Sequence, residues 1–490
     1  MTGLSFLIFS ILTETAGFNA VFHRLYPYRW EEIEVPHTKF EEIIHYIEML
    51  AESGRLKPGT RLPSIRSLAG EFSCSLNTVI KAYKELEFSH KIYAVSKSGY
   101  YLVEDYPYKK QTGSAVPVYD FLSAGPDKHA MPYLDYKHCM NQAIDRYKED
   151  MFTYSELLGL LSLREELARH LRDLQVFTDS SRIAVTTGSQ QALHLLIRLP
   201  FPNGKRTILT EQPAHPSFIE SVKDQPCIGI DIGRDGPDLE QLETIFQNEE
   251  IKFFYLVSRF HNPTGHSYTN EERRKIVALA ERYDVYIVED DYMGDLDPDL
   301  KQDPMFAFQP NGRVIYTKSF SKTLLPGLRL GLAVLPTELI EGFKRAKFAA
   351  DVHTPVITQG ALEIYLKNGM FAAHIEKIRN LYRKKGEVLC RAYRAFMPEG
   401  TSYTCPASGF YSTVRLPSSL KASDFIQRLK DKNVLMQSTE SMYLEEFMRY
   451  DELRLSVSHV KDQMIREGVA LMAETIQEMM IKRKKGVMWR

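Results

Sequence analysis

The stretch Ser319-Phe320-Ser321-Lys322-Thr323-Leu324-Leu325-Pro326-Gly327-Leu328-Arg329-Leu330-Gly331 decides the reading of this chain. It follows Val314 to Tyr316, an apolar run that reads as a buried strand. A lysine leaving a buried strand can be desolvated into a nucleophilic amine. Ser319, Ser321 and Arg329 offer two hydroxyls and a guanidinium to a single phosphate. A lone loop lysine is ordinarily a solvated cation, so Lys322 takes its meaning from what surrounds it.

Three further segments supply the surroundings. Thr187-Gly188-Ser189-Gln190-Gln191 lies between the strand-like Ile183–Val185 and a helix expected from Ala192. Small polar residues at a helix start present free N–H groups to an anion, although many strand-to-helix turns look alike. His261-Asn262-Pro263-Thr264-Gly265 follows the run Phe253–Val257, which puts Asn262 at the ligand-binding rim of an α/β sheet. Glu289-Asp290-Asp291-Tyr292 follows Val285–Val288. A carboxylate there can hold a pyridine nitrogen protonated; the plainer reading is a helix cap or an acidic loop. From about Tyr119 onward apolar runs alternate with amphipathic segments, which predicts an α/β domain with a largely parallel sheet. Phe425 to Met480 reads as a smaller terminal subdomain.

Upstream, Phe40, Ile43, Ile44, Ile47 and Leu50 have helical apolar spacing. Ser64 is placed to open a second helix, Ile65–Phe72. Ser75 is placed to cap a third, Leu76–Leu86, which turns Asn77, Thr78 and Lys81 outward near its start. Two short helices with a polar leading end fit a major-groove reader. Ile92–Val95, Lys97-Ser98-Gly99 and Tyr100–Val103 read as a hairpin wing.

The bulk numbers agree with two folded domains. The chain has 490 residues, 44% hydrophobic and 26% charged, with a net charge of −1. Such a balance excludes a blanket nucleic-acid coat but not a local DNA-reading patch. From Pro36 to Val103 there are nine Lys or Arg against seven Glu, which is only mildly basic. The five cysteines are scattered without metal spacing, so no metal site is expected and reduced thiols in the cytoplasm fit best. Leu4–Leu12 is apolar but too short to span a bilayer, and no Lys or Arg precedes it. It reads either as a weak membrane or export segment or, the favoured reading, as a non-native or mis-assigned N-terminal extension. The basic tail Ile481–Arg490 reads as a solvated end. The expected division is an extension over 1–34, a DNA-binding domain over 35–104, a linker over 105–118 and the α/β domain over 119–490.

Together, and in this order, the C-terminal motifs resemble fold type I pyridoxal-phosphate enzymes, specifically the class I/II aminotransferases. The resemblance covers nearly all of Tyr119 to about Met480. It implies pyridoxal 5'-phosphate as cofactor, with Lys322 as its Schiff-base lysine. It implies Asp290 on the pyridine nitrogen, with Asp291 as the alternative, and Tyr292 and Asn262 on the phenolic oxygen. Ser189, Gln190, Ser319, Ser321 and Arg329 would surround the phosphate. Arg454, in Leu453-Arg454-Leu455-Ser456, stands where the family binds a substrate carboxylate. His215 matches the position that lays an aromatic over the cofactor ring. Tyr154 resembles the tyrosine that reaches a neighbouring subunit's site, which implies a homodimer.

The N-terminal strings Gly54-Arg55-Leu56-Lys57-Pro58-Gly59, Leu62-Pro63-Ser64-Ile65-Arg66-Ser67-Leu68-Ala69, Asn77-Thr78-Val79 and Ala82-Tyr83 resemble the GntR-type winged helix. The resemblance implies operator DNA as partner, contacted by Arg66, Ser75, Asn77, Thr78, Lys81 and the wing residues Ser98 and Gly99. The family commonly has Arg where this chain has Leu76, which removes one expected contact. The fusion is similar to the MocR subgroup of bacterial regulators. The expectation is a transcription regulator that senses pyridoxal phosphate and an amino acid or amine, which would displace Lys322 from the cofactor. The alternatives are an active aminotransferase that carries a DNA domain, and a degenerate domain kept for dimerisation.

Overall fold

The computed structural model describes residues 38–103 and 117–487, apart from 90, 96–97, 234–235, 300–301, 310 and 408–409. The extension 1–34, residues 105–116 of the expected linker, wing residue Lys97 and the tail side chains beyond Lys482 lie outside the described residues. The chain divides into two compact units, Met1–Ala115 and Val116–Arg490.

In the first unit α1 (Lys39–Glu52) starts at a capping box in which Thr38 and Glu41 satisfy each other's backbone N–H. Helices α2 (Ile65–Glu71) and α3 (Leu76–Phe88) are capped by Ser64 and Ser75 respectively. Their apolar faces meet in one core with Ile43, Ile47, Leu68, Val79, Ala82 and Leu86. The Tyr83 hydroxyl, buried in that core, donates to the Pro63 carbonyl at 2.7 Å and ties α3 to the start of α2. Strands β1 (Ile92–Val95) and β2 (Gly99–Leu102) form an antiparallel hairpin with Val95 opposite Gly99. The segment before α2 joins this wing: Leu62 N donates to Tyr100 O at 2.8 Å and Leu102 N to Thr60 O at 3.0 Å. That bridging segment has no period-two signal in the sequence.

The second unit is built on an eight-stranded sheet. After β3 (Tyr119–Asp120) come β4 (Ile183–Thr186), β5 (Thr207–Gln212), β6 (Cys227–Gly233), β7 (Gly236–Pro237), β8 (Ile251–Leu256), β9 (Tyr286–Asp290), β10 (Val314–Ser319) and β11 (Gly331–Val334). The spatial order is β4-β11-β10-β9-β8-β5-β6-β7. β10, β9, β8, β5 and β6 run parallel, and β11 runs antiparallel between β10 and β4. Every residue of β4, β8, β9 and β10 is buried, as strands covered on both faces must be.

Three boundaries differ from the sequence reading. The helix expected from Ala192 begins at Ser189. Asp290 and Ser319 are the last residues of β9 and β10, rather than members of the loops beyond them. The smaller subdomain starts earlier than Phe425. Its sheet joins β12 (Ser402–Tyr403), β13 (Tyr411–Arg415), β15 (Gln437–Ser438) and β16 (Glu452–Ser456), while β14 (Val434–Leu435) pairs with β3. Its separate core draws Phe121, Leu389 and Tyr393 together with Phe425, Leu453 and Ile465. Sequence distance hid this, because Phe121 lies about three hundred residues before its partners.

Candidate functional site

The carboxyl ends of β4, β8, β9 and β10 bring the predicted motifs to one rim. β9 and β10 are in parallel register, with Asp290 opposite Thr317. Thr317 Oγ1 donates to Asp290 at 3.1 Å and the Tyr255 hydroxyl donates to it at 3.2 Å. Among the described residues no cation contacts Asp290. Burial raises its carboxyl to about 7, against the lowering effect of these two hydrogen bonds. The neighbouring Asp291 faces the other way and is held by Arg259 at 2.5 Å and by the Tyr316 hydroxyl at 2.8 Å. Period-two alternation at the end of β9 thus separates two carboxylates that read alike in sequence.

The Lys322 ammonium donates to the Ala124 carbonyl and lies 5.5 Å from the ring centre of Tyr411 and 5.9 Å from that of Phe410. Arg454 is buried on β16. It sits 5.1 Å from the Tyr411 ring and donates through Nη2 to Leu122 O at 3.2 Å, while its Nε has no partner among the described residues. Burial lowers the His215 pKa to about 3, helped by the charges of Lys322, Arg454 and His261, so its imidazole is neutral near pH 7. His215 Nδ1 shares a hydrogen bond with Ser217 Oγ at 2.7 Å, and the same hydroxyl donates to Gln190 at 2.7 Å. The Tyr292 hydroxyl donates to Phe260 O at 3.0 Å. Asn262 is buried, and its Oδ1 has no partner among the described residues.

An anion cradle forms where β4 meets the Ser189–Arg198 helix. Gly188 caps that helix at φ 75 and ψ 165, a conformation that side chains rarely tolerate. A Cβ on Gly188 would lie 2.8 Å from Arg329 Nη2, and one on Gly331 would lie 2.6 Å from Ser189 N. Arg329 Nη1 reaches Ser321 Oγ at 3.4 Å, and Ser321 N donates to Ser319 Oγ at 3.2 Å. The free amides of the helix start, two serines and a guanidinium therefore converge. Gly188→Ala is expected to weaken cofactor affinity at least tenfold by displacing Arg329, as read by titrating pyridoxal 5'-phosphate into cofactor-free protein. Unchanged affinity would show that the cradle is not the phosphate site.

Tyr154 stands apart from this rim. It is 86% exposed, and its ring packs edge-on 6.0 Å from His353. Sequence reasoning missed Tyr255, Thr317, Phe410, Tyr411 and the Ala124 carbonyl. None has a motif, and only β-sheet register or chain return brings them to the site.

In the winged helix Arg66, Asn77 and Lys81 are exposed, and Thr78 is half-buried. Ser75 and Thr78 are engaged with each other: Ser75 Oγ accepts from Thr78 N at 3.1 Å and shares a hydrogen bond with Thr78 Oγ1 at 2.9 Å. Ser98 Oγ bonds the Tyr101 hydroxyl at 2.6 Å. The exposed Arg61 was missed; its Nε lies 3.1 Å from where a Gly99 Cβ would be. The bridge between Arg61 and Tyr101 places it on the wing.

The fold and site define an aminotransferase-type domain joined in one chain to a winged helix. Residues 128–471 match the family Aminotransferase class I and II, and residues 39–102 match Bacterial regulatory proteins, gntR family. The uncharacterized HTH-type transcriptional regulator YcxD of Bacillus subtilis (strain 168) is 42% identical over 440 residues, which span 89% of this chain and 99% of that protein. Kynurenine aminotransferase of Pyrococcus horikoshii, solved with PMP, superposes with a TM-score of 0.69 at 28% identity over 74% of this chain and 92% of its own. LysN, the alpha-aminoadipate aminotransferase of Thermus thermophilus complexed with N-(5'-phosphopyridoxyl)-L-leucine, gives 0.68 at 27% over 74% and 93%. The chain belongs to the class I and II aminotransferase family, as a GntR-type transcription regulator of the MocR kind. Its cofactor is pyridoxal 5'-phosphate. The residues present fit that group: a buried carboxylate and an Asn262 amide oxygen that lack a cation and a hydrogen-bond donor among the described residues, an anion cradle and a lysine meet at one rim.

Proposed function

We propose that this regulator senses pyridoxal 5'-phosphate together with an amino acid or amine, and passes ligand binding on to operator DNA. The observation that carries the reading is the set of partners unmet among the described residues at the rim: Asp290 without a cation, and Asn262 Oδ1 and Arg454 Nε without hydrogen bonds. Buried polar groups are rarely left unsatisfied, so such a set points to a ligand. When bound, the cofactor supplies an electron sink and an electrophilic carbon for amines. Lys322 would hold it covalently, Asp290 would keep its ring nitrogen protonated, and Asn262 and Tyr292 would bond its phenolic oxygen. Ser189, Gln190, Ser319, Ser321 and Arg329 would enclose its phosphate, with neutral His215 against its ring. Arg454 would bind the carboxylate of the incoming amino acid.

Arg454 belongs to the smaller subdomain, so a carboxylate held there biases that subdomain's position, the kind of two-state element a sensor needs. Arg454→Ala is expected to weaken α-amino-acid binding about tenfold to a hundredfold, equivalent to a charged hydrogen bond of roughly 1.5–3 kcal/mol. Amines without a carboxylate should be unaffected, and calorimetry on the holo-protein separates the two. Equal losses for both ligands would remove Arg454 from the carboxylate role.

For the reader, we place the DNA-binding domain at 35–104, the linker at 105–118 and the cofactor domain at 119–490. Asn77, Thr78 and Lys81 would enter the groove, Arg66 would meet a phosphate, and Ser98 and Gly99 would approach the backbone from the wing. Ser75 acts mainly as the cap that orients them. Arg66→Ala should lower affinity for all sequences and reduce the salt slope of binding by about one. A slope that does not move would place Arg66 off the phosphates. Exposed Tyr133, Leu134, Phe152 and Tyr154 support a homodimer in which Tyr154 serves the partner subunit's site. The cytoplasm is the compartment we assign. Operator affinity measured with and without cofactor and amino ligand tests the whole reading; binding of both ligands with unchanged affinity sinks it. The complete rim also supports aminotransferase activity, and multiple turnovers of an amino-acid and keto-acid pair would favour that second reading.

A further inference from the structure

We propose that Cys390 and Cys405 are a reversible thiol–disulfide site, closed by a small-molecule disulfide such as oxidised glutathione. The two thiols lie close enough to interact with each other, and both act on the Tyr393 hydroxyl. A separate contact fixes that arrangement. Tyr393 lies three residues after Cys390 on the Met370–Phe396 helix, and Tyr403 lies two residues before Cys405 at β12. Residues three apart share a helix face, and residues two apart share a strand face. The rings of Tyr393 and Tyr403 pack with centroids 4.7 Å apart, so the same packing brings the Cys390 turn of the helix against the Cys405 segment. Thr404 N donates to Thr413 O at 3.0 Å, which holds the Cys405 segment against β13.

The pair is unequal. Cys405 is exposed, whereas Cys390 is partly buried and its thiol is pushed up to about 12, chiefly by burial. Cys405 is therefore the first to react. Its thiolate attacks one sulfur of glutathione disulfide, forming a mixed disulfide and releasing one glutathione thiolate. Cys390 then loses its proton and attacks the Cys405 sulfur; the bond to glutathione breaks and the second glutathione leaves. Two protein thiols and one glutathione disulfide become one protein disulfide and two glutathione thiols. In a reducing compartment such bonds are usually transient and sensing rather than structural.

The site is placed to matter. Cys405 lines a cleft of about 640 Å³ with Arg394, Thr413 and Arg415. The chain runs from Cys405 to Phe410 and Tyr411, whose rings flank Lys322. Oxidation would anchor that segment to the long helix.

The test equilibrates full-length holo-protein in glutathione buffers of increasing oxidised fraction, traps thiols by acid quench and alkylation, and maps peptides by mass spectrometry. A linked Cys390–Cys405 peptide should form and should disappear on reduction. Cys390→Ser should stop at a glutathione adduct on Cys405, and Cys405→Ser should leave Cys390 free. The proposal is overturned if wild-type protein accumulates only the Cys405 adduct. It is equally overturned if Cys390–Cys405 linkage is no more abundant than linkages of Cys139 or Cys227.

Discussion

Lys322→Ala is expected to abolish covalent attachment of pyridoxal 5'-phosphate. Borohydride reduction of wild-type protein with the cofactor should add its mass irreversibly at one peptide; in the variant that adduct should be absent. The decisive competitor is Lys318, four residues earlier in the same stretch. It is fully buried within β10, and its ammonium is held by Asp295 at 2.5 Å. Asp295 is in turn kept well below the usual carboxylate range by Lys318 and His170, in spite of burial. Releasing Lys318 would leave the buried Asp295 carboxylate with His170 alone, and breaking a buried pair typically costs about 3–5 kcal/mol. Lys322 has only a carbonyl and two ring faces to leave. An adduct on Lys318 in the variant, at wild-type yield, would show that the site tolerates either lysine and would dislodge Lys322 from its role.

The second large effect concerns Asp290. Its carboxyl is raised from 3.8 to about 7 in the cofactor-free protein. Between those values the folded chain holds a proton that the unfolded chain has released. Folded stability from this group is therefore full below about pH 4 and falls as pH rises toward 7. At about 1.4 kcal/mol per pH unit, the ceiling on that loss is about 4 kcal/mol. Asp290→Asn keeps a polar group beside Tyr255 and Thr317 but cannot ionise. Cofactor-free variant protein should thus melt above wild type at pH 8 and close to it at pH 4. Bound cofactor should reverse the order at pH 8, because only the carboxylate can pair with a protonated ring nitrogen. Losing that pairing is expected to weaken cofactor binding by roughly two orders of magnitude, in the range of about 3 kcal/mol. Parallel melting curves for the two proteins across pH would refute the buried-carboxylate account. Tighter cofactor binding by the variant would refute the pairing.

Much of the rim was legible because parallel sheets end their strands at ligand sites, and those ends carry short signatures. Asn262, Asp290, Tyr292 and Lys322 each follow an apolar run that the sequence exposes directly. The choice between Asp290 and Asp291 was not legible. It depends on which side of β9 each carboxylate faces, and on Arg259 arriving at Asp291 from a loop after a different strand. Tyr411 and Phe410 lie some ninety residues beyond Lys322, without a motif, and only the return of β13 places their rings beside it. In the winged helix the caps Ser64 and Ser75 were readable from residue type and spacing. Arg61 was not, since the pairing of its segment with β2 is set by chain closure rather than by local pattern.

The crossing of Gly331 beneath Gly188 and Ser189 has an outcome for anyone who surveys this protein by truncating side chains one at a time. Two walls of the anion cradle are main chain and hydrogen, with nothing to remove. An alanine survey would rank the serines and Arg329 as modest contributors and pass over the positions that shape the cradle. The informative survey runs the other way and adds a single methyl group at Gly188 or Gly331, where it would meet the guanidinium or the helix backbone inside van der Waals distance.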